Sequence, residues 1–497
     1  MKKKIAIIGS GISGLSAASY CAQSGNEVHV FEKQSQPGGR ARQFQTTNGY
    51  TFDMGPSWYW MPDIIESFFN DFGYRVSDFY DLVALNPQFE MIFNDENISI
   101  PKSYEALKAL FEDIEKGAGK KLDVFMKAAK FKYEVGMREF VNKPCHSWLE
   151  FLSLKIAGSA LKLDLLTNFR NYVGHYFSNP KLRTLMEFPV IFLGASPIKI
   201  PALYSLMNYG GYALGTWYPM GGFYQLVLAM QKVAEEQGAY FHFNQNIDQI
   251  IVEQGQAKGL IVNGEFQAFD AIIASCDYHH TETLLEPNMR NYSEKYWASR
   301  TFAPSCLIYY LGFNERIPNL KHHTLFFEND LDEHVDTIYN TKKWPEKPLF
   351  YACCPSKTDP SVAPEGCENL FLLIPLATGL SDAESIREKY LDEMLERIEK
   401  HTGTQHLKSK LEYKKSYCVS DFINDYNAYG GNAYGLANTL NQTAVLKPSL
   451  KNKHIKNLFY TGQLTVPGPG VPPSIISGTI VAKEVNKLKT SRYEKAI

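Results

Sequence analysis

No stretch of about 18 consecutive apolar residues occurs in the 497-residue sequence, which argues against a helix that spans a bilayer. A basic excess is also absent. Lys and Arg total 51 against 53 Asp and Glu, a formal charge of −2, and a nucleic-acid binder usually shows a large positive surplus. Eight cysteines form no C-x-x-C pair and twelve histidines form no H-x-x-x-H spacing, so spacing suggests neither a disulfide framework nor a metal site. Vicinal Cys353 and Cys354 fit disulfide geometry poorly. The expectation is reduced thiols in a cytoplasmic protein with no metal. The opening MKKKIAIIGSGISG imitates the start of a signal peptide, but its apolar run breaks into glycines instead of continuing. What is abundant is aromatic: 31 Phe, 30 Tyr and 6 Trp, 13% of the chain. A soluble core does not require so many, which points to an apolar ligand or a membrane interface.

The chain begins as a strand–helix–strand unit. Lys4–Ile8 reads as a buried strand. Ile12, Leu15, Ala18 and Ala22 recur at helical spacing up to Gly25, and Glu27–Phe31 is the second strand. Such a start implies a parallel sheet covered by helices. A second block opens at Gly221 and Gly222. It predicts a helix over Phe223–Gln237, a strand over Ala239–Asn244, a hairpin of Ile247–Val252 with Lys258–Val262, and a strand over Asp270–Ser275. A third block has a strand over Asn457–Thr461 and a helix from about Ser474 to Leu488. Residues 86–215 are expected to be mostly helical, and 286–449 to mix strands with a charged helix over Asp382–Lys400. The expected fold class is α/β. A discontinuous Rossmann-like nucleotide-binding domain (1–85, 216–285 and 450–497) carries an inserted α+β domain (86–215 and 286–449).

Residues 9–14 read GSGISG. Gly9 permits a tight turn, Gly11 lets the backbone approach a pyrophosphate, and Gly14 allows close packing of helix on strand. The helix that follows aims free N–H groups and a positive dipole at the phosphates. Ser13 belongs to the same cofactor-binding set. Glu32 closes the second strand eighteen residues after Gly14. A carboxylate there accepts hydrogen bonds from ribose hydroxyls and repels a ribose phosphate, which disfavours NADP. Pro37-Gly38-Gly39-Arg40-Ala41 follows, where Gly39 and Arg40 suit a second phosphate contact.

Together GSGISG, Glu32 and PGGRA resemble the flavin amine oxidase and carotenoid desaturase superfamily, where the additional GGR distinguishes FAD binders from plain NAD dehydrogenases. Residues 52–62, FDMGPSWYWMP, resemble the F-D-x-G-P segment of bacterial phytoene desaturases, which passes close to the flavin; Asp53, Gly55 and Pro56 match. Residues 193–222, His322-His323 and 355–366 are similar to further landmarks of that family. Residues 461–473, TGQLTVPGPGVPP, match G-x-x-T-x-P-G-x-G through Gly462, Thr465, Pro467, Gly468 and Gly470, followed by Val471 and Pro472. In the family this turn starts a helix whose N-terminus faces the flavin ring and pyrophosphate. Lys447-Pro448 departs from the Arg-Pro of many relatives.

The resemblance implies bound FAD, adenine contacts from the backbone of Ile247, and an inserted domain that meets substrate and membrane. It implies an acyclic or partly cyclised carotene as substrate: phytoene, or a later intermediate such as a hydroxylated γ-carotene. A hydride leaves an allylic carbon for the flavin and a proton leaves its neighbour, with oxygen or a membrane quinone as final electron acceptor. The proton acceptor is unassigned; His322, His323 and Asp53 are the candidates. A polyene insoluble in water must come from a bilayer, so a cytoplasmic, peripherally membrane-associated protein is expected. Phe188–Met207 is apolar but broken by Pro189, Pro197 and Pro201, with Lys181, Arg183 and Lys199 in or beside it. Alternatives are a redox-neutral carotenoid isomerase, an amine or porphyrinogen oxidase, and a prenyl-binding carrier like the GDP-dissociation inhibitors, which lack an intact phosphate loop.

Overall fold

The computed structural model describes residues 2–137, 141–147, 150, 163–191 and 194–488. Part of the expected helical insert, and Leu193 at the head of the 193–222 segment, lie outside the described residues.

Five parallel strands form one sheet, in the order Leu458–Tyr460, Ala271–Ala274, Lys4–Ile8, Glu27–Phe31 and Ala239–His242. Apolar runs such as KIAII and AIIA suit this sheet because both its faces are covered. Ile5, Ile7, Val28 and Ile273 point to one face, packed with Ile476, Ile480 and Val481. Ala6, Ile8 and Ile272 point to the other, packed with Leu260 and Tyr460. Lys4–Ile8 is central, and the chain continues to opposite sides of it. Its carboxyl end is therefore a topological switch point, where open α/β sheets bind ligands.

Helices Ile12–Gln23 and Val471–Asn486 pack on one face of this sheet and touch through small residues. A Cβ on Gly478 would lie 2.4 Å from the Ser13 carbonyl oxygen, and Ser16 Oγ donates to the Ile475 carbonyl at 2.7 Å. The second helix begins at Val471, three residues before the position read from sequence. Pro472 and Pro473 fit in its first turn because amides there need no intrahelical acceptor.

Seven strands form a second sheet, in the order Leu411–Tyr417, Ser305–Phe313, Glu368–Leu376, Phe350–Cys353, His323–Phe326, Phe89–Ile92 and Asn97–Ile100. Residues 86–215 therefore contribute two strands as well as helices. Their aromatic and aliphatic density was read as helical, but Phe89–Ile92 is short and buried throughout, which periodicity cannot separate from helix. Side chains alternate across the sheet. Leu307, Tyr309, Phe350 and Leu372 face the helix Glu384–Thr402. Ile308, Tyr310, Leu325, Tyr351 and Leu373 face the larger aromatic core. The Ile247–Glu253 and Gln256–Val262 hairpin gains a third strand, Glu265–Ala268, a short and largely exposed segment not read from sequence.

Candidate active site

One cavity, about 2430 Å³ with its mouth included, extends from the switch point of the parallel sheet to the seven-stranded sheet. Gly9, Gly11, Ser13, Glu32, Gly39 and Arg40 line it, as do Gly55, Pro56, Ile247, Gly462 and Val471. Gly14 stands behind the wall. A Cβ there would sit 2.2 Å from the Gly9 carbonyl oxygen and 2.9 Å from Ser275 Oγ, so its missing side chain is what lets helix meet strand. No heavy atom lies within 4 Å of a Cβ built on Gly11, which leaves that backbone open to a ligand. Gly39 folds over it, its own Cβ position 3.3 Å from Gly11 Cα.

Glu32 organises this end. One carboxylate oxygen accepts from the Ser10 amide at 2.9 Å and Ser10 Oγ at 2.8 Å, and the other from the Gln34 amide at 2.9 Å. Three of about four acceptor positions are thus filled by the protein. Arg40 is a second charged group on this wall. Its Nη2 donates to the Asn432 carbonyl at 3.1 Å, and its guanidinium lies over Tyr426 at 4.8 Å. Arg40 Nε is buried and has no partner among the described residues. An orphaned guanidinium donor at a glycine cradle suits an anionic ligand such as a pyrophosphate. Ile247 lies at the Glu32 end, flanked by Gln34, Gln245 and Asn246.

The N-terminus of helix Val471–Asn486 also faces the cavity. Its second and third residues are Pro472 and Pro473, and the Ser474 amide already donates to the Gly470 carbonyl at 3.0 Å. The helix therefore offers its positive dipole end but only one free first-turn N–H, that of Val471. Gly55 lies against the phosphate turn; a Cβ on it would be 2.5 Å from the Arg40 carbonyl oxygen.

The opposite end is apolar. Met54, Trp60, Met207, Ile308, Leu373 and Tyr434 form its walls. Ser57 and Tyr351 supply hydroxyls there, joined at 2.9 Å. No local pattern marks Tyr351, Ile308 or Leu373, because register across the second sheet is what gathers them. The 425–434 segment was also unmarked, yet it reaches the nucleotide end, where Asp425 pairs with Arg42 at 2.7 Å.

The three candidate proton acceptors do not line this cavity. Asp53 accepts from the Phe223 and Tyr224 amides at 2.6 and 3.2 Å and from Gln43 at 3.0 Å. That is the work of a cap on helix Tyr224–Glu236. Burial pushes its carboxyl up to about 6 against the pull of those donors. His322 Nδ1 bonds Thr358 Oγ1 at 2.7 Å, and burial lowers its imidazole to about 3. With Asp53 it lines a small adjoining cavity. His323 Nδ1 bonds the Tyr351 hydroxyl at 2.7 Å. Donor atoms of His322, His323 and Cys353 converge within 4.8 Å, all buried. Spacing along the sequence hid this cluster, because Cys353 enters through strand pairing opposite His323.

The family model for flavin-containing amine oxidoreductases matches residues 12–486. A carotenoid 3,4-desaturase of Haloarcula japonica is 38% identical, with 96% of this chain and 97% of that protein covered. A zeta-carotene-forming phytoene desaturase of Myxococcus xanthus is 29% identical, with 97% and 94% covered. Among solved structures, an oxidoreductase from Methanosarcina mazei superimposes with a TM-score of 0.64 at 16% identity, with 97% of this chain and all of that one covered. The family match runs from the first helix through both sheets to the last helix. The chain belongs to the flavin-containing amine oxidoreductase family, and its cofactor is FAD.

Proposed function

We propose that this protein is an FAD-dependent carotenoid desaturase. The observation that carries the reading is the continuity of the cavity, with a dinucleotide cradle at one end and an apolar wall at the other. The loop with Gly9, Gly11, Ser13 and Gly14 holds the pyrophosphate, together with Gly39, Arg40 and Gly462. Glu32 spends its remaining acceptor position on the ribose, and Ile247 meets the adenine. Gly55, Pro56 and the Val471 helix end border the flavin ring. Bound flavin supplies a two-electron acceptor for hydride. The residues of this chain orient the polyene and exclude water from it. The higher identity to a 3,4-desaturase than to phytoene desaturases favours a double bond introduced near the end of an elongated carotenoid. The isomerase and the flavin-free carrier have no comparable support.

The division into 1–85, 216–285 and 450–497 against 86–215 and 286–449 is proposed on the same ground, since each sheet draws its strands from one of the two sets. Peripheral docking on a bilayer completes the reading, with oxygen or a membrane quinone taking the electrons. No helix among the described residues is long and apolar enough to cross a membrane. Leu166 is 94% exposed and Ile198 52%. Their segments are joined by the Ala202 amide and Thr167 carbonyl at 2.8 Å. Tyr204 reaches Thr443 at 3.3 Å, beside exposed Leu440 and Leu446. These side chains form the proposed insertion patch. Leu166→Glu with Ile198→Glu is expected to lower sedimentation with carotenoid-loaded vesicles several-fold; undiminished binding would remove the patch from the account.

The reading is tested with FAD-loaded protein and defined carotenes in liposomes. Loss of two mass units per turnover supports desaturation. An unchanged mass with altered double-bond geometry would make the protein an isomerase.

A further inference from the structure

Desaturation needs a proton acceptor as well as a hydride acceptor, and none of the three sequence candidates reaches the cavity. Tyr351 does. Its strand Phe350–Cys353 runs antiparallel to His323–Phe326, with His323 opposite Cys353 and Leu325 opposite Tyr351. Register therefore puts Tyr351 and His323 on one sheet face, on the diagonal where long side chains still meet. The Tyr351 hydroxyl stands between Ser57 Oγ at 2.9 Å and His323 Nδ1 at 2.7 Å. His323 is fully buried, stacked on Trp58 with ring centroids 4.2 Å apart and planes 10° apart. Its Nε2 has no hydrogen-bond partner among the described residues. The phenol is thus the one hydrogen-bonded outlet of this imidazole, and it opens on the apolar end. Tyr434, the other phenol on that wall, has no imidazole bonded to it among the described residues.

We propose that the Tyr351 oxygen takes the proton released in desaturation and passes its own proton to Nδ1 of His323. The inference rests on the carotenoid desaturase reading. A hydride, with its electron pair, leaves an allylic carbon for the bound flavin. The C–H bond on the neighbouring carbon then breaks, and its electron pair becomes the new π bond. The proton forms an O–H bond at Tyr351 as the former phenolic proton forms an N–H bond at His323. Here His323 is assigned the tautomer with its proton on Nε2. The substrate loses two hydrogens and two electrons in all.

The charge balance permits the transfer. Burial holds His323 well below the usual histidine range, so it is neutral before the reaction but a weak base. The polyene already carries a positive charge after hydride loss, so the proton relocates that charge and creates none. A carbon next to a polyenyl cation is strongly acidic, so a weak oxygen base is adequate. Ser57 then steadies the phenol oxygen. Tyr351 is the catalytic residue in this scheme and His323 a positioning and proton-storing residue behind it.

The experiment compares the FAD-loaded wild type with Tyr351→Phe, His323→Asn and Tyr434→Phe, in liposomes with carotene deuterated at the proton-donating carbon. Asn at 323 can still bond Tyr351 but has no basic nitrogen. Flavin content, the visible flavin spectrum, turnover and the isotope effect are measured. General acid–base groups contribute about 10²–10⁴-fold. Tyr351→Phe is expected to keep its flavin and spectrum, lose at least about 100-fold in turnover, and show a larger isotope effect. His323→Asn is expected to do the same with a smaller loss. Full turnover in Tyr351→Phe would overturn the proposal. So would a loss with an unchanged isotope effect, or one that appears in Tyr434→Phe instead. If Tyr351→Phe fails to fold, His323→Asn decides by the same criteria. A wild type that oxidises no carotene would overturn the desaturase reading and this inference with it, whereas an active wild type beside an equally active Tyr351→Phe overturns the inference alone.

Discussion

The two ends of the cavity are built by opposite means. The nucleotide end is made of backbone: glycines without Cβ, amides held by Glu32, and a helix terminus, most of it within residues 9–40 and 461–474. The apolar end is made of side chains: Ile308, Tyr351 and Leu373 from three strands of the second sheet, with Trp60 from a loop more than two hundred residues earlier. Backbone recognition tolerates almost no substitution, because the atoms that must approach are fixed. A side-chain wall can be reshaped residue by residue. One scaffold can thus keep a cofactor constant while its substrate varies.

If that contrast is right, changes at the two ends must fail differently. Gly14→Val should have the largest effect. Its Cβ would stand 2.2 Å from the Gly9 carbonyl oxygen, so the protein is expected to purify without flavin, measured as absorbance per chain. Glu32→Ala comes next. It leaves the Ser10 amide, Ser10 hydroxyl and Gln34 amide without their acceptor, and each unsatisfied buried group costs about 1–3 kcal/mol. FAD affinity is expected to fall 10- to 100-fold in a fluorescence titration. Leu373→Ala sits on the other side of the comparison. Flavin content should be unchanged, while carotene KM or the preferred carotene shifts several-fold. Loss of flavin in this variant would break the division between the ends.

Lys447 offers the smallest and most specific test. It is buried, its Nζ has no partner among the described residues, and burial lowers its ammonium to about 7. Free lysine binds its proton up to pH about 10.4. Between those values the unfolded chain holds a proton that the folded chain does not, so stability rises with pH in that window. The penalty is fully present below about pH 7. Lys447→Met is expected to melt higher than wild type at pH 7, by a few degrees, with the gap closing towards pH 10. A gap independent of pH would mean that Lys447 is paired in solution.

The same contrast explains what could be read from sequence. Lys4–Ile8 and Glu27–Phe31 were legible to the residue because a short apolar run, a glycine turn and a helical period are all local. Gly9, Gly11, Glu32 and Arg40 could also be grouped from sequence, since they are close in the chain, and they line one cavity as the proposed nucleotide set. The helix start at Val471 was read three residues late because two prolines look like a break. Phe89–Ile92 was missed as a strand because it is short and buried throughout, so it shows no alternation, even though one of its two partners, Asn97–Ile100, is near in the chain. His323 was a candidate but its outlet through Tyr351 was not, because nothing in a sequence states that one strand lies beside another.

An anaerobic single-turnover experiment decides whether this cavity oxidises carotenes through its flavin. FAD-loaded protein is mixed with a carotene in liposomes, and flavin absorbance is followed alongside product mass. The account expects one flavin reduced for each product two mass units lighter. Flavin that stays oxidised while carotene is converted at unchanged mass, or bound flavin that no carotene reduces, would contradict it.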